Sequence, residues 1–273
     1  IFDELIQSAF DGHPLGQSIL GTYESVSEIT RDEMAGYFER RYAPNNLTFI
    51  VTGRFDKDEV IDSVQAACGE WFSHASDRDQ DSPTFTPGSR VTRKDVVARE
   101  HIAFAVPAPP ANNESSVTAD LLAAYLGAAT NSRLFWSVIQ KGLADEASAD
   151  YYGFSDSGLF YVYLSVDPTN AGQVMAIVRD ELSGLANGID SGALERAKTK
   201  AATSLVCSGQ NGLHRFSQIV GDLSTNTPLK SIDEQLAEID GVTPDGIADY
   251  LKAYPVTANP ALIALGPMEK ASW

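Results

Sequence analysis

The stretch TRDEMAGYFERRYAPNNLTFIVTG, residues 30–53, returns in register as TPDGIADYLKAYPVTANPALIALG, residues 243–266. Thr30 aligns with Thr243, Asp32 with Asp245, Ala35 with Ala248, Tyr37 with Tyr250, Asn46 with Asn259, Ile50 with Ile263 and Gly53 with Gly266. Met34 against Ile247 and Phe38 against Leu251 keep their apolar character. The matches fall on a helix cap, an apolar helix face, a turn and a glycine that closes a short apolar run. Both copies therefore read as a capped helix, a turn and a strand. If the second unit opens near Arg90 and holds its copy at its end, a first unit of equal length opens roughly 120 residues before Ile1. The expected organisation is thus the tail of one domain followed by the whole of a related one.

Working outward, Phe2, Leu5, Ile6 and Phe10 have helical spacing, and Asp11-Gly12 stops that helix. Pro14, Gly16 and Gly21 make an irregular connector. Thr30 with Glu33 forms a capping box, 46–52 reads as a short buried strand, and Asp56 caps a helix carrying Val60, Ile61, Val64 and Cys68. The polar segment Asp77, Arg78, Asp79, Gln80, Asp81, Ser82, Pro83 lacks the apolar surface to fold alone. Strands are expected at 90–97, 101–106, 147–153 and 158–166, and helices after a cap at Ser115 or Ser116, over 133–141, 170–187, 191–208, 213–223 and 232–239.

The fold class is therefore α+β, with two related domains, each a mixed or antiparallel sheet with helices on one face, the first truncated at its N-terminus. Residues 1–75 form the C-terminal part of the first domain, 76–89 the linker and 90–273 the second domain.

Composition narrows the function. A net charge of −17 argues against nucleic acid or anionic lipid as the main partner; it reads first as an acidic solvated surface, and an acidic cleft would favour basic peptides. No apolar run approaches the roughly 18 residues that would span a bilayer as a helix. Cys68 and Cys207 lie outside any paired spacing and read as buried thiols, and no two of His13, His74, His101 and His214 have the spacing that sets imidazoles on one helical face. Phosphate-cradling glycine motifs and the GxSxG elbow do not occur. The residues by themselves define neither a catalytic nor a metal site.

Several short motifs carry a resemblance. They are Gly12-His13-Pro14-Leu15-Gly16 with Ile19-Leu20-Gly21; Tyr42-Ala43-Pro44-Asn45-Asn46-Leu47 followed by Gly53; Ser132-Arg133-Leu134-Phe135; Gly142-Leu143-Ala144; Asp156-Ser157-Gly158-Leu159-Phe160; and Leu194-Glu195-Arg196-Ala197-Lys198. In this order they resemble the C-terminal part of the peptidase family of pitrilysin, insulinase and mitochondrial processing peptidase. The resemblance implies a zinc metallopeptidase that encloses extended peptides between two bowl-like halves. Its zinc is held by an inverted HxxEH motif whose counterpart lies before Ile1, so no zinc is expected on this chain and zinc only in the parent protein.

The resemblance also places a carbonyl-binding Arg and Tyr where this chain has Ile139 and Asp145, neither of which can donate that hydrogen bond. Two readings remain: one half of the zinc-bearing subunit of a two-chain enzyme, or a non-catalytic peptide-binding or scaffold subunit. Ser132, Arg133, Phe135, Ile139, Asp145 and Phe160 are the positions expected nearest the substrate chamber. The expected partners are a peptide substrate, basic or unfolded, and a related subunit in a homodimer or heterodimer.

Overall fold

The computed structural model describes residues 1–75 and 81–270. Contacts divide the chain into two compact units. One comprises Ile1–Gln17, Ser82–Cys207 and the residues from Asp222 onward; the other comprises Ser18–Asp81 and Ser208–Gly221. The first seventeen residues thus pack with the sheet that begins after 82, whereas the sequence pattern puts them in the domain before the linker. Of that linker, residues 76–80 lie outside the described residues, 81–87 carry no regular element, and Gly88 already begins a strand.

The larger unit is built on five strands: β1 (Gly88–Arg93), β2 (Glu100–Ala108), β3 (Ala144–Gly153), β4 (Gly158–Val166) and β5 (Ala261–Gly266). Their order is β1-β5-β2-β4-β3. Only β1 and β5 are parallel; the other neighbours run antiparallel. The sheet is therefore mixed. β2 and β4 pair along their whole lengths, Glu100 opposite Val166 and Ala108 opposite Gly158. Both are apolar on both faces, as central strands covered on two sides must be.

Side-chain parity divides that burial. Ile102, Phe104, Val106, Phe160, Val162, Leu164 and Leu262 point into the principal core. Facing them are α5 (Ser116–Gly127) with Leu122 and Leu126, α6 (Ala171–Gly184) with Val174, Met175 and Val178, and α10 (Pro244–Ala253) with Ile247 and Tyr250. α7 (Ser191–Gly209) adds Leu194, and α9 (Ile232–Gly241) lays Ile239 against the same core. On the opposite face small residues, Ala103, Ala105 and Ala261, leave room for α1 (Phe2–Ala9), which buries Leu5, Ala9 and the adjoining Phe10. The expected helices on one face are thus joined by a short helix on the other.

The smaller unit holds α2 (Tyr23–Glu28), α3 (Arg31–Arg41) and α4 (Lys57–Cys68); α8 (Gly212–Ser224) begins in it. Local chemistry accounts for these helices. Thr30 and Glu33 form the capping box expected for α3, and the Asp56 side chain accepts from the Asp58 and Glu59 amides at the start of α4. α2 has its own box, Thr22 with Ser25, just beyond the irregular connector.

Two expectations are corrected. Residues 47–52 carry no strand, and none of the described residues pairs with them; Phe49 and Val51 are exposed. A strand needs a partner for its backbone groups, and this segment has none. Cys207 is exposed and Cys68 only half-buried, so neither is the buried thiol expected from its helix face.

Candidate functional site

The segment from Gly127 to Asp145 leaves α5, turns over the edge of the sheet and enters β3. Its geometry begins at Gly127, where a β-carbon would lie 2.0 Å from the Ala149 amide nitrogen. Only glycine lets the end of α5 approach the edge strand so closely. Asn131 then adopts a left-handed conformation with φ of 61° and reverses the chain. Ser132, only 3% exposed, ties the two sides of this turn together. Its hydroxyl donates to the Ala128 carbonyl at 2.6 Å and accepts from the Phe135 amide at 3.1 Å. A π-helical turn, Phe135–Ile139, comes next in place of the α-helix expected over 133–141, with the Gln140 amide donating to the Phe135 carbonyl at 2.7 Å. Gly142, at φ 68°, redirects the chain into β3.

The six positions expected near a substrate separate into different environments. Arg133 is half-buried, and its Nε donates to Glu181 on α6 at 2.5 Å. Burial alone would lower the affinity of this guanidinium for its proton, but the Glu181 carboxylate and the Tyr125 hydroxyl reverse that and raise it. Phe135 meets Trp136 edge to face, with ring centroids 5.0 Å apart. Ile139 packs against the principal core. Asp145 is the extra residue of a β-bulge between Ala144 and Glu146, and its carboxylate accepts from Arg99 Nε at 2.6 Å. Phe160 points into the core beneath the helices and is 2% exposed. Ser132, Arg133 and Phe135 thus share one short turn, while Asp145 and Phe160 occupy the bulge and the core.

Beside that turn lies a cavity of about 520 Å³, lined by Tyr125 and Ala128 from α5 and its cap, Asn131 to Arg133, Trp136, and Ala193, Glu195, Arg196, Ala197, Thr199 and Lys200 on α7. It brings together two of the motifs noted in the sequence, Ser132-Arg133 and Glu195-Arg196-Ala197, which are about 60 residues apart in the chain. The pairing of Arg133 with Glu181 and the bond from the Asp190 amide to the Tyr125 hydroxyl at 3.2 Å hold the surrounding helices in place. Sequence reasoning missed α7 as a wall because the fold, not local spacing, sets it against the turn.

Among the described residues no three His, Cys, Asp or Glu side chains are grouped to hold a metal ion. Three of the four histidines bond elsewhere: His13 Nδ1 accepts from the Leu15 amide, His101 Nδ1 lies 2.7 Å from the Tyr163 hydroxyl, and His74 faces the Phe72 and Arg40 carbonyls. The zinc implied by the resemblance therefore does not fit the donors present here. Asp120 on α5 has an open residue surface, but protein crowds its carboxyl, and that crowding first and Asp150 second push it up to about 7. Among the described residues no helix is long and apolar enough to cross a membrane.

Comparison with known proteins agrees with this fold. The family model described as "Peptidase M16 inactive domain" matches residues 28–201, more than half of the chain. An uncharacterized zinc protease of Streptomyces coelicolor is 27% identical over 98% of the chain and 60% of its own length. The beta subunit of the mitochondrial-processing peptidase of Pongo abelii is 21% identical over 99% of the chain and 58% of its own length. The chain thus spans about three-fifths of the curated relatives it matches. A chain of complex III2 from Candida albicans superposes with a TM-score of 0.90 at 20% identity, covering 98% of this chain and 66% of that one.

Proposed function

The chain belongs to the family of the peptidase M16 inactive domain, and from that premise we propose that it is the C-terminal portion of a zinc-dependent metalloendopeptidase. In this reading residues 1–75 complete a first domain and 90–273 form the second, which supplies chamber wall and substrate contacts but no zinc ligand. The observation that carries it is the match of residues 28–201 to a peptidase family. Zinc, where the parent protein holds it, would activate water for attack on a peptide carbonyl. The residues of this chain bind and orient. The turn at Ser132 to Ile139 and the cavity beside it form a rigid surface against which an extended peptide can lie, and the net charge of −17 favours basic or unfolded segments.

Ile139 in the core and Asp145 paired with Arg99 favour a partner subunit that provides the carbonyl-binding Arg and Tyr. The same two residues are the specific support for the second reading, a non-catalytic peptide-binding or scaffold subunit. Elemental analysis of the full-length protein, with this chain as control, separates the two. About one zinc per full-length chain, none on residues 1–273, and chelator-sensitive cleavage of unfolded casein once a related subunit is added are the expected results. Absence of zinc from the full-length protein overturns the peptidase reading and leaves the scaffold.

A further inference from the structure

The cavity beside Ser132 is cationic in a chain whose net charge is −17. Of its four charged lining residues, Arg133 is paired with Glu181, and Glu195 accepts at 3.1 Å from Lys198, whose ammonium also lies 4.0 Å from Asp240. Arg196 and Lys200 remain, both exposed, neither with an ion pair among the described residues. They stand four positions apart on α7 and so share one helical face, about 6 Å apart at their β-carbons. Trp136, 55% exposed, lines the same cavity. The floor is opened by alanines, Ala128, Ala193 and Ala197, whose short side chains leave the volume that larger residues would fill.

We propose that this cavity binds an extended peptide segment carrying two carboxylate side chains two residues apart. Successive side chains of an extended peptide point to opposite sides, and residues two apart are separated by about 6.6 Å. A peptide lying between α7 and the 130–136 turn therefore presents its first and third side chains to Arg196 and Lys200 and its second to the Trp136 ring. The spacing of the two cations matches that of the alternate side chains. An apolar or aromatic residue between the acids suits the indole face, and both carboxylates find guanidinium or ammonium donors that have no ion pair among the described residues. The overall negative charge of the chain draws basic segments, and this cavity reads an acidic pair within such a peptide. The inference rests on the peptide-contact reading given above, but it is tested by binding alone, so its failure leaves the zinc and cleavage measurements standing.

The experiment is fluorescence anisotropy of the 273-residue chain with labelled, amidated Gly/Ser decapeptides carrying one Glu-Phe-Glu, Gln-Phe-Gln or Lys-Phe-Lys. Binding of the Glu peptide, about tenfold weaker binding of the Gln peptide, and about tenfold loss in the double variant Arg196→Gln/Lys200→Gln are expected. Trp136→Ala should weaken the Glu peptide and leave the Glu-over-Gln preference in place. All three altered side chains are exposed, so circular dichroism of the variants should match that of the parent chain. Equal affinity for the Glu and Gln peptides overturns the proposal, as does undiminished binding to the double variant. So does equal binding of a Gln peptide that bears only a free terminal carboxylate, because the two-cation match would then be irrelevant.

Discussion

Residues 30–53 and 243–266 are two copies of one sequence pattern placed in different surroundings. In both, the helix forms: Thr30 caps α3 through the Glu33 amide, and Thr243 caps α10 through the Gly246 amide. Burial and strand pairing set the copies apart. Ile247 and Tyr250 of α10 are buried, while their counterparts Met34 and Tyr37 are 64% and 52% exposed. Residues 261–266 form β5, between β1 and β2, while 48–53 form no strand. A helix closes its hydrogen bonds within itself and needs only its cap and its propensities. A strand closes them with another strand, so the same apolar run is a strand only where a ladder is supplied.

The largest expected difference between the copies is in amide exchange. Leu262, Ile263, Ala264 and Leu265 lie in a central strand and should exchange only through opening of the sheet, whereas Phe49, Ile50, Val51 and Thr52 should exchange orders of magnitude faster. Comparable protection in the two segments would mean that 48–53 finds a pairing partner in solution. Helix burial gives the next contrast. Ile247→Ala leaves a cavity in the core and should cost about 2–5 kcal/mol, while Met34→Ala, on an exposed face, should cost no more than about 0.5 kcal/mol by denaturant titration. Similar costs at the two sites would show that α3 is packed against something in solution.

The repeated glycines sharpen the comparison further. At Gly266 a β-carbon would sit 2.3 Å from Glu100 Oε2 and 2.6 Å from the Arg99 carbonyl oxygen; at Gly53 nothing lies within 4 Å, but φ is 118°. One glycine answers a lack of space and the other a backbone conformation. Gly266→Ala should therefore cost about 1–3 kcal/mol, since the rigid strand end cannot yield. Gly53→Ala should cost less, because the unpaired backbone around it can rotate to relieve the strain. Equal costs would mean that the 53 turn is held as firmly as the end of β5.

The same contrast explains what was legible in the sequence. Helix caps, the apolar runs of β2 and β4 and the approximate ends of α5, α6 and α7 follow from chemistry within a few residues. The absence of a strand over 46–52 does not, because whether that run finds a partner is a matter of tertiary context. Placement of α1 on the other face of the five-stranded sheet depends on Ala103, Ala105 and Ala261 being small, which matters only once the strands are assembled. In the site, Ser132 is legible as a helix start, and it does bind the Phe135 amide. The Arg133–Glu181 pair joins residues 48 apart in sequence, and no local spacing announces it. Phe160 belongs to a legible motif, but strand parity sends it with Val162 and Leu164 into the core, while Tyr161 and Tyr163 turn to the α1 face.

The smallest effect concerns a carboxyl present at only one copy. Glu100, fully buried, accepts from the Met268 amide at 3.1 Å just after β5, and its Oε1 has no partner among the described residues. Burial raises its pKa above the ordinary glutamate value, and the Met268 hydrogen bond only partly opposes this. The folded chain therefore keeps a proton that the unfolded chain releases. Stability is fully present below the ordinary glutamate pKa and falls as pH rises from there through the raised, folded value. Glu100→Gln keeps an oxygen for Met268 and removes the ionisation. The variant should match the parent at acidic pH, exceed it in thermal midpoint near neutrality, and show a flatter decline between. A variant less stable than the parent at every pH would show that an ionised Glu100 finds compensation in the fold, and that the end of β5 is held by charge rather than by packing.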